Sequence, residues 1–341
     1  MVRYAAPLRE GDRIGVTATS SGVPPPMRER LEVALAAVRR RGYAVELGEC
    51  LYGTGHVSAP AQARAAEFMA MMQDPSIKAV VPPWGGETGI DMLSLLDWDA
   101  LRTVEPTWVV GYSDVATLIT PLTMVAGMAT VHGGNLMDTP YRVPSGMVSW
   151  LDIAEMPTGS TFAQTPTGRY RRDAHVDYAQ DAAASELDLD AVGGWWRLDD
   201  TGDVHVRGRL VGGCIETISP LTGGPLADMS GFRAEHAGEE TLVYIEAAES
   251  GSFAICRALH GMRLAGFFDG AQAVLVGRTN APDDQGMTQH EAVLDALGSL
   301  GVPIVAGVDC GHVAPFMPLV NGAHAEVWLR GDSARITQTL R

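Results

Sequence analysis

An α/β chain in two parts, an N-terminal Rossmann-like parallel-sheet domain and a C-terminal mixed α/β (α+β) domain, is predicted by three features of this 341-residue sequence. Up to about position 125, short apolar runs alternate with amphipathic stretches. From Leu136 to Gly194 the alternation gives way to sequence rich in Pro, Gly, Thr and Asp, as a connection with loops requires. Beyond it, strand-like and helical segments are interleaved again. The length fits two domains at about 100–200 residues each, and no repeat of 20–50 residues points to a solenoid or propeller.

Taken in order, Arg13 to Ala18 reads as a strand. Pro26 to Arg41 reads as a helix with Met27, Leu31, Ala34, Leu35 and Val38 on one face. Tyr43 to Leu47 is a strand, Ala61 to Gln73 a helix and Lys78 to Val81 a strand. A helix near Thr88 to Leu96, a strand at Thr107 to Gly111 and a helix from Asp114 toward Thr123 follow. Repeated βα units imply a parallel sheet with right-handed crossovers and helices on both faces. In the second part, strands are expected at Val204 to Leu210, Thr241 to Glu246, Ala271 to Val276, Pro303 to Val308 and Ala323 to Leu329, with helices near Glu216, Ala254 and Glu291. The expected division is 1–140, a connection with substrate-covering loops over 141–195, and 196–341.

Composition narrows the function classes. A net charge of −16 repels polyanions, which argues against polymeric nucleic acid as a partner. Acids cluster from Asp173 to Asp203; the run reads as a solvated linker or, because it leads into Trp195, as a loop over a substrate. The four cysteines are widely spaced with no C-x-x-C pair, so neither a disulfide framework nor a zinc knuckle is indicated, and a reducing cytoplasm suits them. Charged residues interrupt the first fifteen positions, and no window reaches the ~18 apolar residues of a membrane span. A cytoplasmic protein without membrane contact is the expectation.

The most informative segment runs from Thr107 to Leu118. Its apolar strand ends at Gly111-Tyr112, and a helix starts directly after Ser113. The hydroxyl is thereby placed at the carboxyl edge of a sheet, where open α/β folds bind ligands. The pattern resembles a nucleophile elbow, but Val115 stands where G-x-S-x-G has its second glycine, and Ser113 could equally be a helix N-cap. Pro82-Pro-Trp-Gly-Gly-Glu87 also follows a strand. Its paired glycines allow close backbone approach, so the amides of Gly86 and Asp114 can aim at one oxyanion; a plain tight turn is the alternative. No complete G-x-G-x-x-G follows the first strand.

A serine nucleophile needs a base. His312 lies in the loop after the strand Pro303 to Val308, and Glu246 ends an apolar strand, where a buried acid needs a hydrogen-bonded partner. Glu249, three residues on, is a rival carboxylate. Cys214, at a glycine turn feeding a helix, is a rival nucleophile. His290-Glu291 is half of a metalloprotease motif, with Leu294 where the second histidine belongs, so no metal is expected there.

Leu8-Arg-Glu-Gly-Asp-Arg-Ile-Gly15, Asp74-Pro-Ser-Ile-Lys-Ala79, Gly85-Gly86, Gly111-Tyr-Ser-Asp114, His132-Gly133, Gly212-Gly213, Ile245-Glu246 and Gly311-His312 occur in an order that resembles the LD-carboxypeptidase family of serine peptidases, over nearly the whole chain. That family includes muropeptide LD-carboxypeptidases and microcin C immunity proteins. The resemblance implies a Ser113–Glu246–His312 triad split between two domains, an oxyanion hole at Gly86 and Asp114, no metal or organic cofactor, a cytoplasmic location and commonly a homodimer. It also implies a small peptide or aminoacyl-nucleotide substrate. Two positions depart from it: Cys214 stands where many members carry Asn, and Glu87 where muropeptide enzymes often carry small or aromatic residues. Gly193-Gly-Trp195-Trp196-Arg197 resembles the tryptophan-bearing segment of the immunity proteins. From it, stacking of adenine on Trp195 or Trp196 is expected, with packing as the alternative.

Overall fold

Parallel strands covered on both faces must be apolar throughout, and the strands of the first part are short and largely buried. The computed structural model describes residues 1–53, 55–172 and 176–341. In it, β1 (Arg13–Val16), β2 (Ala44–Leu47), β3 (Ile77–Val80), β4 (Trp108–Gly111) and β5 (Thr130–His132) form a parallel sheet in the order β5-β4-β3-β1-β2. The crossovers carry α1 (Arg28–Arg40), α2 (Ala61–Gln73), α3 (Trp98–Thr103) and α4 (Ala116–Met124). The helix expected from Thr88 is instead a 3-10 helix over Gly89–Leu95. Leu96 turns to extended backbone, and Asp97 restarts the chain as the cap of α3, accepting from Ala100 N–H at 2.9 Å.

The connecting region contains α5 (Trp150–Ala154), β6 (Thr161–Gln164) and a small antiparallel pair, β7 (Arg169–Tyr170) with β8 (Ala191–Val192). Fully buried Arg30 of α1 ties it to the first sheet, donating to the carbonyls of Met137, Ala182 and Ala184. Then follow β9 (Trp196–Arg197), β10 (Val204–Cys214), α6 (Ile215–Ile218), α7 (Met229–Glu235), β11 (Thr241–Glu246), α8 (Ser252–Leu264), β12 (Ala271–Gly277), α9 (Gln289–Leu297), β13 (Ile304–Val308), β14 (Leu319–Asn321), β15 (His324–Arg330) and β16 (Ser333–Thr339). The second sheet is mixed, in the order β6-β16-β15-β10-β11-β12-β13-β9, with β10 to β13 parallel.

β14 does not join that second sheet. It pairs antiparallel with β5 and completes the first sheet, placing Leu319 opposite His132. The two sheets also share a core: Val115, Leu118, Ile119 and Leu122 cluster with Val211, Ile215, Ile218 and Ile245. Thr120 of α4 donates to the carbonyl of Gly212 at 2.8 Å inside that contact. Gly212 and Gly213 permit the approach; a Cβ on Gly213 would stand 3.0 Å from that of Ala116. Among the described residues, no helix is long and apolar enough to cross a membrane.

Candidate active site

Ser113 holds a φ of 62°, a left-handed conformation that costs a residue with a side chain of order 1–3 kcal/mol. Several contacts hold it there. Tyr112 N–H donates to Asn135 Oδ1 at 3.1 Å, and Asp114 accepts from Gly89 N–H at 2.8 Å and from the Thr117 hydroxyl at 3.0 Å. The cap positions of the turn and of α4 fall on Tyr112 and Val115, not on Ser113, which lines the cleft instead, so the cap alternative falls away. The loop after β3 presses against the turn: a Cβ on Gly85 would lie 2.8 Å from both Asp114 N and Ser113 Cβ. Gly86 follows at a φ of 140°, where a side chain would overlap the hydroxyls of Ser20 and Ser21.

The facing wall comes from the carboxyl ends of the second sheet. Cys214 ends β10, Glu246 ends β11, and His312 lies in the loop after β13. Glu246 is wholly buried, and its Oε2 lies 2.7 Å from His312 Nδ1. A carboxylate there places the proton on Nδ1 and leaves Nε2 as the basic lone pair. Burial pushes the carboxyl up, but the charge and hydrogen bond of His312 outweigh it and hold Glu246 below its ordinary value. Burial likewise pulls His312 down, while the Glu246 carboxylate lifts it above 6.5 overall. Of the two acids, only Glu246 bonds the imidazole; Glu249 stands exposed at the cleft.

Between the walls lies a cleft of about 650 Å³ onto which Gly86, Glu87, Ser113, Asp114, Cys214 and His312 all open. Two further residues escaped the sequence reading. Glu216, in the first turn of α6, accepts with Oε1 from the backbone N–H groups of Ala248, Glu249 and Ser250 at 3.0, 3.1 and 3.1 Å. Only the fold brings that loop to it, so no spacing could have shown the contact. His132, noted in sequence only within the family pattern, is buried between Tyr112 and Tyr244, with Nε2 3.8 Å from Glu246 Oε1. Burial pushes its pKa down to about 4.

Several expectations need correcting. Trp195 is 4% exposed in the core of the second sheet, and its Nε1 donates to buried Asp309 at 3.0 Å. It does not line the cleft beside Ser113. Trp196 lies on edge strand β9 with its ring edge-on to His290 at 5.5 Å, and it does not line the cleft either. Nor does any described residue of 141–195. Within that segment, Tyr178 and Leu187 pack beside Phe316 and His312, and Glu186 and Asp188 pair with Arg142 and Arg171. Asp173 lies outside the described residues. The Cys214 thiol donates to Glu216 at 3.2 Å, and burial drives its pKa far up, so it is no thiolate nucleophile. Glu87 is exposed and paired with His56 at 2.9 Å. Potential metal-ligand atoms of Cys214, Glu246 and His312 lie within 4.8 Å of one another, but those of Glu246 and His312 bond each other and the thiol keeps its proton.

Known proteins share this arrangement of elements. The sequence profile of the LD-carboxypeptidase N-terminal domain matches residues 14–133, and that of the LD-carboxypeptidase C-terminal domain matches residues 207–327. The chain is 23% identical to the microcin C7 self-immunity protein of Escherichia coli, covering 98% of this chain and 95% of that one. It is 24% identical to a Bacillus subtilis protein named probable murein peptide carboxypeptidase, covering 93% and 89%. Among solved structures, the wild-type apo form of the microcin C7 self-immunity protein superposes with a TM-score of 0.82 at 21% identity, covering 98% of both chains. An MccF-like protein of Streptococcus pneumoniae in complex with AMP gives 0.76 at 18% identity, covering 97% and 99%.

Proposed function

The chain belongs to the LD-carboxypeptidase family of serine peptidases, and from that premise we propose that it hydrolyses an amide through an acyl-enzyme on Ser113. The observation that carries this is the 2.7 Å Glu246–His312 pair across one cleft from a serine held at a φ of 62°. Ser113 Oγ attacks the carbonyl carbon while its proton passes to His312 Nε2. The oxyanion is received by the backbone N–H groups of Gly86 and Asp114, a reading supported by the tight packing of the Gly85 backbone against Asp114 N. As the C–N bond breaks, His312 returns the proton to the leaving amine. A water, deprotonated by the same imidazole, then releases the acid. Glu246 holds the ring and stabilises the imidazolium.

For the substrate, we infer an aminoacyl or peptidyl amide of small size. A nucleotide-linked amide is supported by solved relatives in complex with AMP and with aspartyl sulfamoyl adenosine. A murein-type LD-peptide is favoured by the burial of Trp195, which removes the expected base-stacking ring. The test is turnover, followed by mass spectrometry, of aminoacyl sulfamoyl adenosines against tetrapeptides ending in D-alanine, with Ser113→Ala as control. Release of amino acid or D-alanine by the wild type alone supports the reading. Turnover undiminished in Ser113→Ala contradicts it.

A further inference from the structure

We propose that the substrate of this cleft carries a cationic group, an ammonium or guanidinium, seated between Glu216 and Glu249; this rests on the serine-hydrolase reading above. Among the described residues, the cleft beside Ser113 is lined by four acidic residues, Glu87, Asp114, Glu216 and Glu249, and by no Lys or Arg. Among the described residues lining it, only His312 can be cationic, and its role as base requires it neutral.

The four acids are not equivalent. Asp114 spends its oxygens on Gly89 N–H and the Thr117 hydroxyl, and Glu87 pairs with His56. Glu216 is fixed in place: Oε1 takes three backbone N–H groups, and among the described residues Oε2 accepts only from the weakly donating Cys214 thiol. Glu249, whose backbone N–H is one of those three, is exposed at the cleft, and its carboxylate has no ion-pair partner among the described residues. Two carboxylates on one short loop-and-helix junction, one immobilised and one unpaired, thus face the space where a bound substrate must lie.

An anionic group entering that space meets two like charges, with no Lys or Arg among the described lining residues to offset them. A cation finds a preorganised oxygen and a second one that can close on it. The prediction concerns binding, so it can be read without turnover.

Affinities for Ser113→Ala are measured calorimetrically at low salt with matched dipeptide pairs. N-acetyl-L-lysyl-D-alanine is set against N-acetyl-L-glutamyl-D-alanine, and N-acetyl-L-alanyl-D-lysine against N-acetyl-L-alanyl-D-glutamate. In at least one pair the lysine ligand binds roughly tenfold or more tightly than its acidic twin, and the gap narrows with added salt. Glu249→Gln and Glu216→Gln, the latter keeping an oxygen for the three amides, each reduce the gap. Equal affinities within both pairs, tighter binding of an acidic twin, no binding of either lysine ligand, or a preference that survives both substitutions overturns the proposal. Turnover by the wild-type chain, measured separately on the same peptides, reports on the hydrolase reading.

Discussion

His312 is raised chiefly by Glu246, with Glu216 and Glu249 adding to it, and lowered by its burial, and the balance sets how the site should respond to pH. With Glu246 ionised, the imidazole titrates above 6.5, so kcat/KM is expected to fall as pH drops through a value above 6.5. Glu246→Gln keeps the volume and an acceptor but removes the charge, leaving burial as the main influence. The acid limb of kcat/KM should then move to lower pH, with Glu216 and Glu249 still opposing burial, while kcat falls by about 10³–10⁴-fold. The same pair links pH to stability. Glu246, held low when folded, contributes above its unfolded pKa and loses that contribution as pH falls; His312, held high, contributes below its unfolded pKa and loses it as pH rises. The pair therefore stabilises most between the two titrations. Ser113, Glu246 and His312 were all legible as candidates because each ends or follows an apolar strand. Choosing Glu246 over Glu249 was not, since it depends on which carboxylate the fold buries beneath His312.

At the scale of elements, the serine turn works as a unit with the loop after β3. Gly85 has no spare room: a Cβ there would come within 2.8 Å of both Ser113 Cβ and Asp114 N. Gly85→Ala is expected to push the two walls apart, reducing kcat by about 10²–10³-fold, the cost of a displaced oxyanion donor, with KM less affected. A far-ultraviolet circular dichroism spectrum unchanged from wild type separates this from unfolding; full activity would show that the loop does not set the oxyanion geometry. Sequence periodicity located α1, α2 and the strands from β1 to β4 to within a few residues. It missed β5 and β14, which have three residues each and no room for a period, and it read the 3-10 helix before α3 as an α-helix. For Trp195 the sequence left stacking and packing open, since only the tertiary partner Asp309 shows that this indole belongs to the core.

At the scale of the whole molecule, the proposed triad draws on both halves of the chain. Ser113 rises from one sheet, while Glu246 and His312 rise from the other. Their mutual position is held by the shared apolar cluster around α4, by the buried Thr120–Gly212 hydrogen bond, and by β14 returning to the first sheet. The two-part organisation was visible in the alternation of runs along the chain. The return of β14 was not, because strand order within a sheet is a long-range choice that no local pattern records. Acylation of Ser113 integrates all of this, so the most direct measurement is intact-mass and peptide mapping after exposure to an alkyl fluorophosphonate. One adduct on Ser113, absent in Ser113→Ala and strongly slowed in His312→Ala, is the expected result. An adduct on another residue, or labelling that persists unchanged in Ser113→Ala, would contradict a nucleophile on one sheet served by a base on the other.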